Sequence, residues 1–115
     1  YREAGADVLF VESPVSDEEF ATIAKEVDAP LLANMVDGGY SPVLSKARLA
    51  ELGFAIAIYP GTGMFAMAAA LTSAYQTILD TGSTDELEVP LLAPAEMHDL
   101  MGFNDVWAFD KKWAK

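Results

Sequence analysis

Residues 30–39 read PLLANMVDGG, which is a short apolar run, a polar side chain at its end and a loop with two glycines. A similar apolar run with a polar end occurs at VLFVE in residues 8–12 and at FAIAIY in residues 54–59. Short continuous apolar runs of this kind are typical of parallel strands that are buried on both faces. We therefore predict three strands, at residues 8–11, 30–33 and 54–58.

Signals for helices lie between and after these strands. Ser16-Asp17-Glu18-Glu19 is a capping box, and apolar residues follow it at the spacing of one helical face. Ser45 can begin a second helix, which Gly53 ends. A third and longer helix is predicted from Thr62 to about residue 80, and its many apolar residues predict heavy burial.

After residue 82 the sequence changes character. An acidic stretch with prolines leads into a predicted short helix near residues 94–101 and an aromatic terminal segment. We divide the chain into residues 1–82, which carry the βα units, and residues 83–115, a helical tail whose aromatic segment is expected to pack against the barrel or a neighbouring subunit.

Alternating strands and helices with short connections require right-handed crossovers and a parallel sheet with helices outside it. Three strands cannot close a barrel, and 115 residues fall well short of the roughly 250 of a closed (β/α)8 barrel. Long exposed apolar edges would invite pairing with other chains. The predicted fold class is α/β, a partial (β/α)8 TIM barrel with a helical tail, whose remaining strands we expect to precede residue 1.

Composition argues against several classes of partner. The net charge of -11 disfavours nucleic acid and anionic membrane surfaces, both of which need basic patches. No uninterrupted apolar run of about 18 residues is present, so no membrane span is predicted. The absence of cysteine suits a cytoplasmic protein and rules out thiol chemistry within these residues.

Polar residues at strand ends are the candidate site, because side chains from successive parallel strands converge at the carboxyl edge of a sheet. Glu12 could face a polar ligand or merely cap a neighbouring loop, and a carboxylate after an apolar strand calls for a partner. Asn34 could bind a ligand or tie down its own loop. Gly38 and Gly39 permit close backbone approach to a ligand, or only a turn. Tyr59 ends the third strand.

Two further features are weaker candidates. The backbone amides of residues 59–63 open the long helix and could hold a carboxylate or phosphate, as in a barrel enzyme with a phosphate-binding loop. His98 is the only histidine, and its place in the tail favours packing over catalysis.

Taken together, AGADVLFVE at residues 4–12, PLLANMVDGG at residues 30–39 and IYP at residues 58–60 resemble the isocitrate lyase/phosphoenolpyruvate mutase superfamily. The closer likeness is to its methylisocitrate lyase, dimethylmalate lyase, oxaloacetate decarboxylase and phosphonomutase branches, with Asp37 in place of the usual glutamate. The tail, with LMGF at residues 100–103, is also similar. The resemblance implies that the chain carries the last three βα units of the barrel.

The resemblance also implies a chemistry. It is Mg²⁺-dependent cleavage or formation of a C–C or P–C bond beside a carboxylate, through an enolate. Glu12 and Asn34 would contact the small carboxylic acid, with Gly38 and Gly39 in the adjoining loop. The magnesium ligands and catalytic groups would precede residue 1. Phe65 stands where methylisocitrate lyases have arginine, which favours a smaller or less charged 2-oxo acid.

We therefore expect the C-terminal portion of a magnesium-dependent lyase that forms a homo-oligomer, a tetramer by resemblance, with this chain inactive by itself. The alternative is a non-catalytic barrel remnant that self-associates and at most binds a small carboxylate or phosphate.

Overall fold

A computed structural model describes residues 1–114, and in it three parallel strands form one sheet. The strands are β1 (Leu9–Phe10), β2 (Leu31–Asn34) and β3 (Phe54–Ile58), in the order β1-β2-β3. All three predicted strands are confirmed, although β1 is one residue shorter at each end and β2 begins and ends one residue later. The α/β class is confirmed with them.

Five helices accompany the sheet in the described part of the chain. They are α1 (Asp17–Glu26), α2 (Lys46–Leu52), α3 (Thr62–Thr81), α4 (Pro94–Leu100) and α5 (Phe103–Trp113). The chain divides into two compact units, one from Tyr1 to Ala69 and one from Ala70 onward, so the division falls within α3. The tail boundary after residue 82 stays a prediction, and its last residue, Lys115, lies outside the described residues.

The predicted serine caps form, but the capping box predicted at residues 16–19 forms only in half. The Ser16 hydroxyl accepts from the Glu19 N–H at 3.2 Å, but the Glu19 carboxylate accepts from the Val15 N–H at 2.8 Å rather than from Ser16. Ser45 accepts from the Arg48 N–H at 3.1 Å at the start of α2. Gly53 ends α2 with φ 86°, a left-handed conformation that glycine adopts without strain.

A small core holds β2 against α1 and α2. Phe20, Ala33, Met35 and Leu49 pack together and are almost fully buried. The Phe20 ring meets the Phe54 ring edge-on, with 5.5 Å between centroids. The amphipathic pattern of α1 therefore buries the face that the sequence indicates.

The predicted burial on both faces is wrong in the two edge strands, β1, where Phe10 is 46% exposed, and β3, and the predicted burial of α3 is wrong as well. Ile56 and Ile58 in β3 are 41% and 40% exposed, and α3 has no buried residue although Met64 and Leu79 are apolar. Three strands and five helices offer too little apolar surface to cover both faces of every element. Neither α3 nor any other helix among the described residues is long and apolar enough to cross a membrane.

A bidentate ion pair joins α1 to α2. The Arg48 guanidinium donates to the Asp17 carboxylate at 2.8, 3.0 and 3.1 Å and also to Glu51 at 3.1 Å. The hydrogen bonds from Arg48 lower the pKa of Asp17 below its ordinary value of 3.8. Both side chains are 39% exposed, so solvent screens the pair.

Replacing Arg48 by alanine should lower the midpoint of thermal unfolding by a few degrees at neutral pH. Because the pKa of Asp17 is depressed in the folded state, the stabilisation by the ion pair is fully present above pH 3.8, the ordinary pKa. It is lost as the pH falls through the lower folded-state pKa. Melting curves at neutral and strongly acidic pH check this. A difference between wild type and Arg48→Ala that is equal at both pH values would contradict it.

Candidate functional site

A cavity of about 190 Å³ opens beyond the carboxyl ends of β1 and β2. Its walls come from the segment after β1, the last residue of β2 and the loop that follows. The lining residues are Glu12, Ser13, Asn34, Val36, Gly39, Tyr40 and Ser41. Because β1 and β2 are parallel neighbours, their carboxyl ends lie at the same edge of the sheet, as the sequence predicts.

Glu12 lies two residues beyond the end of β1 and is exposed rather than buried. Its Oε1 accepts a 2.9 Å hydrogen bond from the hydroxyl of Ser13. Ser13 is the one non-glycine residue with positive φ among the described residues, at φ 54°. The carboxylate therefore has a neighbour that orients it, while Oε2 is available to a ligand.

Asn34 is the last residue of β2, and its side-chain oxygen Oδ1 is buried without a hydrogen-bond partner among the described residues. Buried polar atoms in folded proteins are nearly always paired, and an unpaired one costs about 1–3 kcal/mol. The atom belongs to a residue that lines the cavity.

The two glycines of the loop have different roles. Gly38 has φ 73° and does not line the cavity, so it supplies the turn. Gly39 lines the cavity, and a Cβ there would lie 3.1 Å from the Val36 carbonyl oxygen, to which the Gly39 N–H donates at 3.0 Å. The positive φ of Gly38 and the close packing at Gly39 explain the two glycines without a ligand.

Asp37 ties this loop to the start of α3. Its carboxylate accepts a 2.6 Å hydrogen bond from the Thr62 hydroxyl, across 25 positions of sequence. Sequence reasoning noted Asp37 only as a substitution and missed this contact. Two short polar side chains far apart in the chain carry no local signal that they will meet.

Tyr59 does not join Glu12 and Asn34. It lines a separate, mainly apolar cavity of about 350 Å³ together with residues of α2 and β3, including Lys46. Of the three polar residues predicted at strand ends, the structure places Glu12 and Asn34 in one cavity and Tyr59 in another.

The weaker candidates have packing explanations. A Cβ on Gly61 would lie 2.6 Å from Cε2 of Phe65, so the ring of Phe65 accounts for that glycine. The His98 ring packs at a tilt against Phe103 and edge-on against Trp107, with 5.3 Å between ring centroids in each case. These contacts favour packing roles for Gly61 and His98.

The residues that line the cavity do not make a metal site. Glu12 is its one carboxylate, and within residues 1–114 no three His, Asp or Glu side chains come together where they could hold a metal ion. Magnesium prefers six oxygen ligands, several of them commonly water. The residues at hand therefore do not fit a complete magnesium site.

Comparisons with known proteins give a consistent result. The profile of a family described as phosphoenolpyruvate phosphomutase matches residues 1–79. The chain is 33% identical over 114 residues to 2,3-dimethylmalate lyase of Eubacterium barkeri, covering 99% of this chain and 39% of that protein. It is 37% identical over 115 residues to 2-methylisocitrate lyase of Halalkalibacterium halodurans, covering 100% of this chain and 38% of that protein.

Solved structures agree. Oxaloacetate acetylhydrolase in complex with oxalate superposes with a TM-score of 0.85 at 26% identity, over 99% of this chain and 39% of that one. Phosphonopyruvate hydrolase in complex with oxalate and Mg²⁺ superposes with a TM-score of 0.80 at 25% identity, over 100% of this chain and 41% of that one. The chain thus spans about two fifths of the length of the relatives it matches.

The turn at Gly38 yields a stability prediction. Gly38→Ala should destabilise the fold by about 1–2 kcal/mol, since alanine is strained at φ 73°. The matched control is Gly63→Ala in the first turn of α3, where nothing lies within 4 Å and φ is not positive. That variant should be neutral or stabilising by up to about 1 kcal/mol. Equal denaturation midpoints for the two variants would refute the strain argument.

Proposed function

Because this chain belongs to the phosphoenolpyruvate phosphomutase family, we propose that it is the C-terminal part of a lyase that acts on a small 2-oxo or hydroxy carboxylic acid through an enolate intermediate. Its relatives by name are lyases and mutases of small carboxylic acids. The observation that carries the proposal is the cavity that Glu12 and Asn34 both line, where Oδ1 of Asn34 is buried without a hydrogen-bond partner among the described residues.

The proposed architecture is a TIM barrel in which β1, β2 and β3 are the last three strands. Two observations support it. The chain spans 38–39% of its curated relatives, and the apolar side chains of β3 remain exposed. Further strands and helices from a preceding part of the protein would cover these side chains and continue the sheet from its open edges.

Glu12 and Asn34 would bind and orient the substrate. If the Asn34 side chain turns Oδ1 toward the cavity, that oxygen and the second carboxylate oxygen of Glu12 would both be acceptors and would favour a ligand group that donates hydrogen bonds, such as a hydroxyl. The amide nitrogen of Asn34 can donate to a carboxylate oxygen. Gly39 would contribute the close backbone wall of the cavity and Gly38 the turn that supports it.

Mg²⁺ is the proposed cofactor, and the support for it is the phosphonopyruvate hydrolase structure that contains Mg²⁺ and oxalate. Bound magnesium stabilises negative charge that develops on substrate oxygens. Since the described residues offer no complete site, we place its ligands in the preceding part of the barrel. The cysteine-free sequence keeps the cytoplasm as the proposed compartment.

Assays for pyruvate-type products and, with oxaloacetate, also for oxalate test the function. They would use 2-methylisocitrate, 2,3-dimethylmalate and oxaloacetate with Mg²⁺, on this chain and on the full-length protein, with an enzyme-free blank for spontaneous decarboxylation. We expect turnover by the full-length protein alone. Because Phe65 offers no charge to a third carboxylate, 2-methylisocitrate should be the poorest of the three substrates.

The second candidate is a non-catalytic barrel remnant that self-associates and at most binds a small carboxylate or phosphate. The exposed apolar side chains of the sheet and of the tail, including Phe10, Ile56 and Leu100, favour its self-association. A full-length protein of about 115 residues that turns over none of the substrates would support the remnant and contradict the lyase.

Glu12→Gln in the full-length protein should lower kcat/KM by at least about tenfold, the scale of losing one charge-assisted contact in the transition state. The melting temperature should be unchanged, because Glu12 is exposed. Glu88→Gln, at an exposed position in the acidic stretch, is the matched control and should retain full activity. Equal activity of the two variants would refute the role of Glu12.

We assign oligomer formation to the tail. In α4 and α5 and the turn between them, large apolar side chains are mostly exposed, including Leu100 at 73% and Phe109 at 63%. A surface of this kind is typical of a contact with another chain. The resemblance points to a homo-oligomer, and a tetramer is the proposed state.

Deleting residues 93–115 from the full-length protein should shift its mass in light scattering toward the monomer or toward aggregates. The control is a double substitution of exposed acidic residues in the same tail, Asp105→Asn with Asp110→Asn, which leaves the apolar side chains in place. An unchanged oligomer in the deletion variant would contradict the role of the tail.

A further inference from the structure

Ser13 has a backbone conformation that its sequence position does not favour. A residue before proline prefers extended backbone, and Ser13 precedes Pro14, yet its φ is 54°. Positive φ is costly for a residue with a Cβ, and such strain persists only where the surroundings impose it. Pro14 is buried, which holds the chain in place directly after Ser13.

This conformation brings the hydroxyl of Ser13 to Glu12. Oγ of Ser13 donates to Oε1 of Glu12 at 2.9 Å, and both residues line the cavity. Glu12 is exposed and has several rotatable bonds, so without a partner its carboxylate would sample many positions. The hydrogen bond reduces that freedom.

We infer that Ser13 is a positioning residue, which holds the Glu12 carboxylate in the cavity so that Oε2 can accept a hydrogen bond from the substrate. The inference rests on the proposed function for the identity of the substrate. Its structural part, the control of Glu12 by Ser13, stands on the geometry of these two residues alone. The simpler explanation is that Ser13 only makes the turn into α1.

Two substitutions separate these explanations. Ser13→Ala removes the hydroxyl and keeps the strained Cβ, whereas Ser13→Gly removes both. If Ser13 only makes a turn, glycine should be as good as serine or better in every measurement, because glycine accepts φ 54° without strain. If Ser13 positions Glu12, both variants should lose activity, and the glycine variant should do so while its melting temperature is unchanged or higher.

The first arm of the test is structural and needs no activity. A crystal structure of the full-length wild type should show the Glu12 carboxylate hydrogen-bonded to Ser13. In a crystal structure of Ser13→Ala the carboxylate should be displaced or should occupy more than one conformer. A Glu12 side chain that superposes in the two structures overturns the inference, whatever the assay shows.

The second arm is kinetic. Ser13→Ala and Ser13→Gly should each lower kcat about tenfold, since misplacing a group that orients the substrate costs mainly turnover, with KM changed less. In a Glu12→Ala background, Ser13→Ala should cause no further loss, because its effect runs through Glu12. Ser73→Ala in α3 is the control outside the cavity. Additive losses, or full activity of Ser13→Gly, overturn the inference.

The two arms also separate this inference from the proposed function. A wild-type protein that is inactive on all substrates contradicts the lyase, while the crystal structures still decide whether Ser13 controls Glu12. An active wild type with an unmoved Glu12 in Ser13→Ala supports the lyase and rejects the positioning role.

Discussion

Met35 is fully buried directly after β2, and its backbone N–H donates a 2.8 Å hydrogen bond to the carbonyl of Ile58 in β3. Its sulfur also accepts from the Leu44 N–H at 3.3 Å. These contacts fix the end of β2 and the start of the loop that follows. Asn34 and the cavity-lining loop depend on them, because one residue of slippage would turn each side chain of β2 to the opposite face.

Two local departures from favourable structure occur in this one cavity. The Oδ1 atom of Asn34 is buried without a partner, and Ser13 has positive φ. Elsewhere in the described chain Ser16 and Ser45 accept the cap hydrogen bonds of α1 and α2, and the other residues with positive φ are glycines, of which Gly53 and Gly82 end helices. Departures of this kind tend to gather at functional sites, where binding or catalysis requires a geometry that folding alone would not select.

The elements that the sequence predicts well are those with local causes. β3 spans the predicted residues because a short continuous apolar run is compatible with few structures other than a strand. Ser16 and Ser45 mark where helices begin, and Gly53 marks where one ends, through contacts within a few positions of sequence. The exposure of α3 could not be predicted, because burial depends on how much partner surface is available. The conformation of Ser13 runs against its local preference, and the position of Tyr59 depends on which face of β3 meets α2.

The most direct test of the account is a crystal structure of the full-length protein with Mg²⁺ and bound malate, a small dicarboxylate with one hydroxyl group. We predict malate in the cavity between Glu12 and Asn34, with Oδ1 of Asn34 paired to a ligand donor and the three strands completing a closed barrel. Malate bound elsewhere with Oδ1 still unpaired, or a sheet that remains open, would contradict the account.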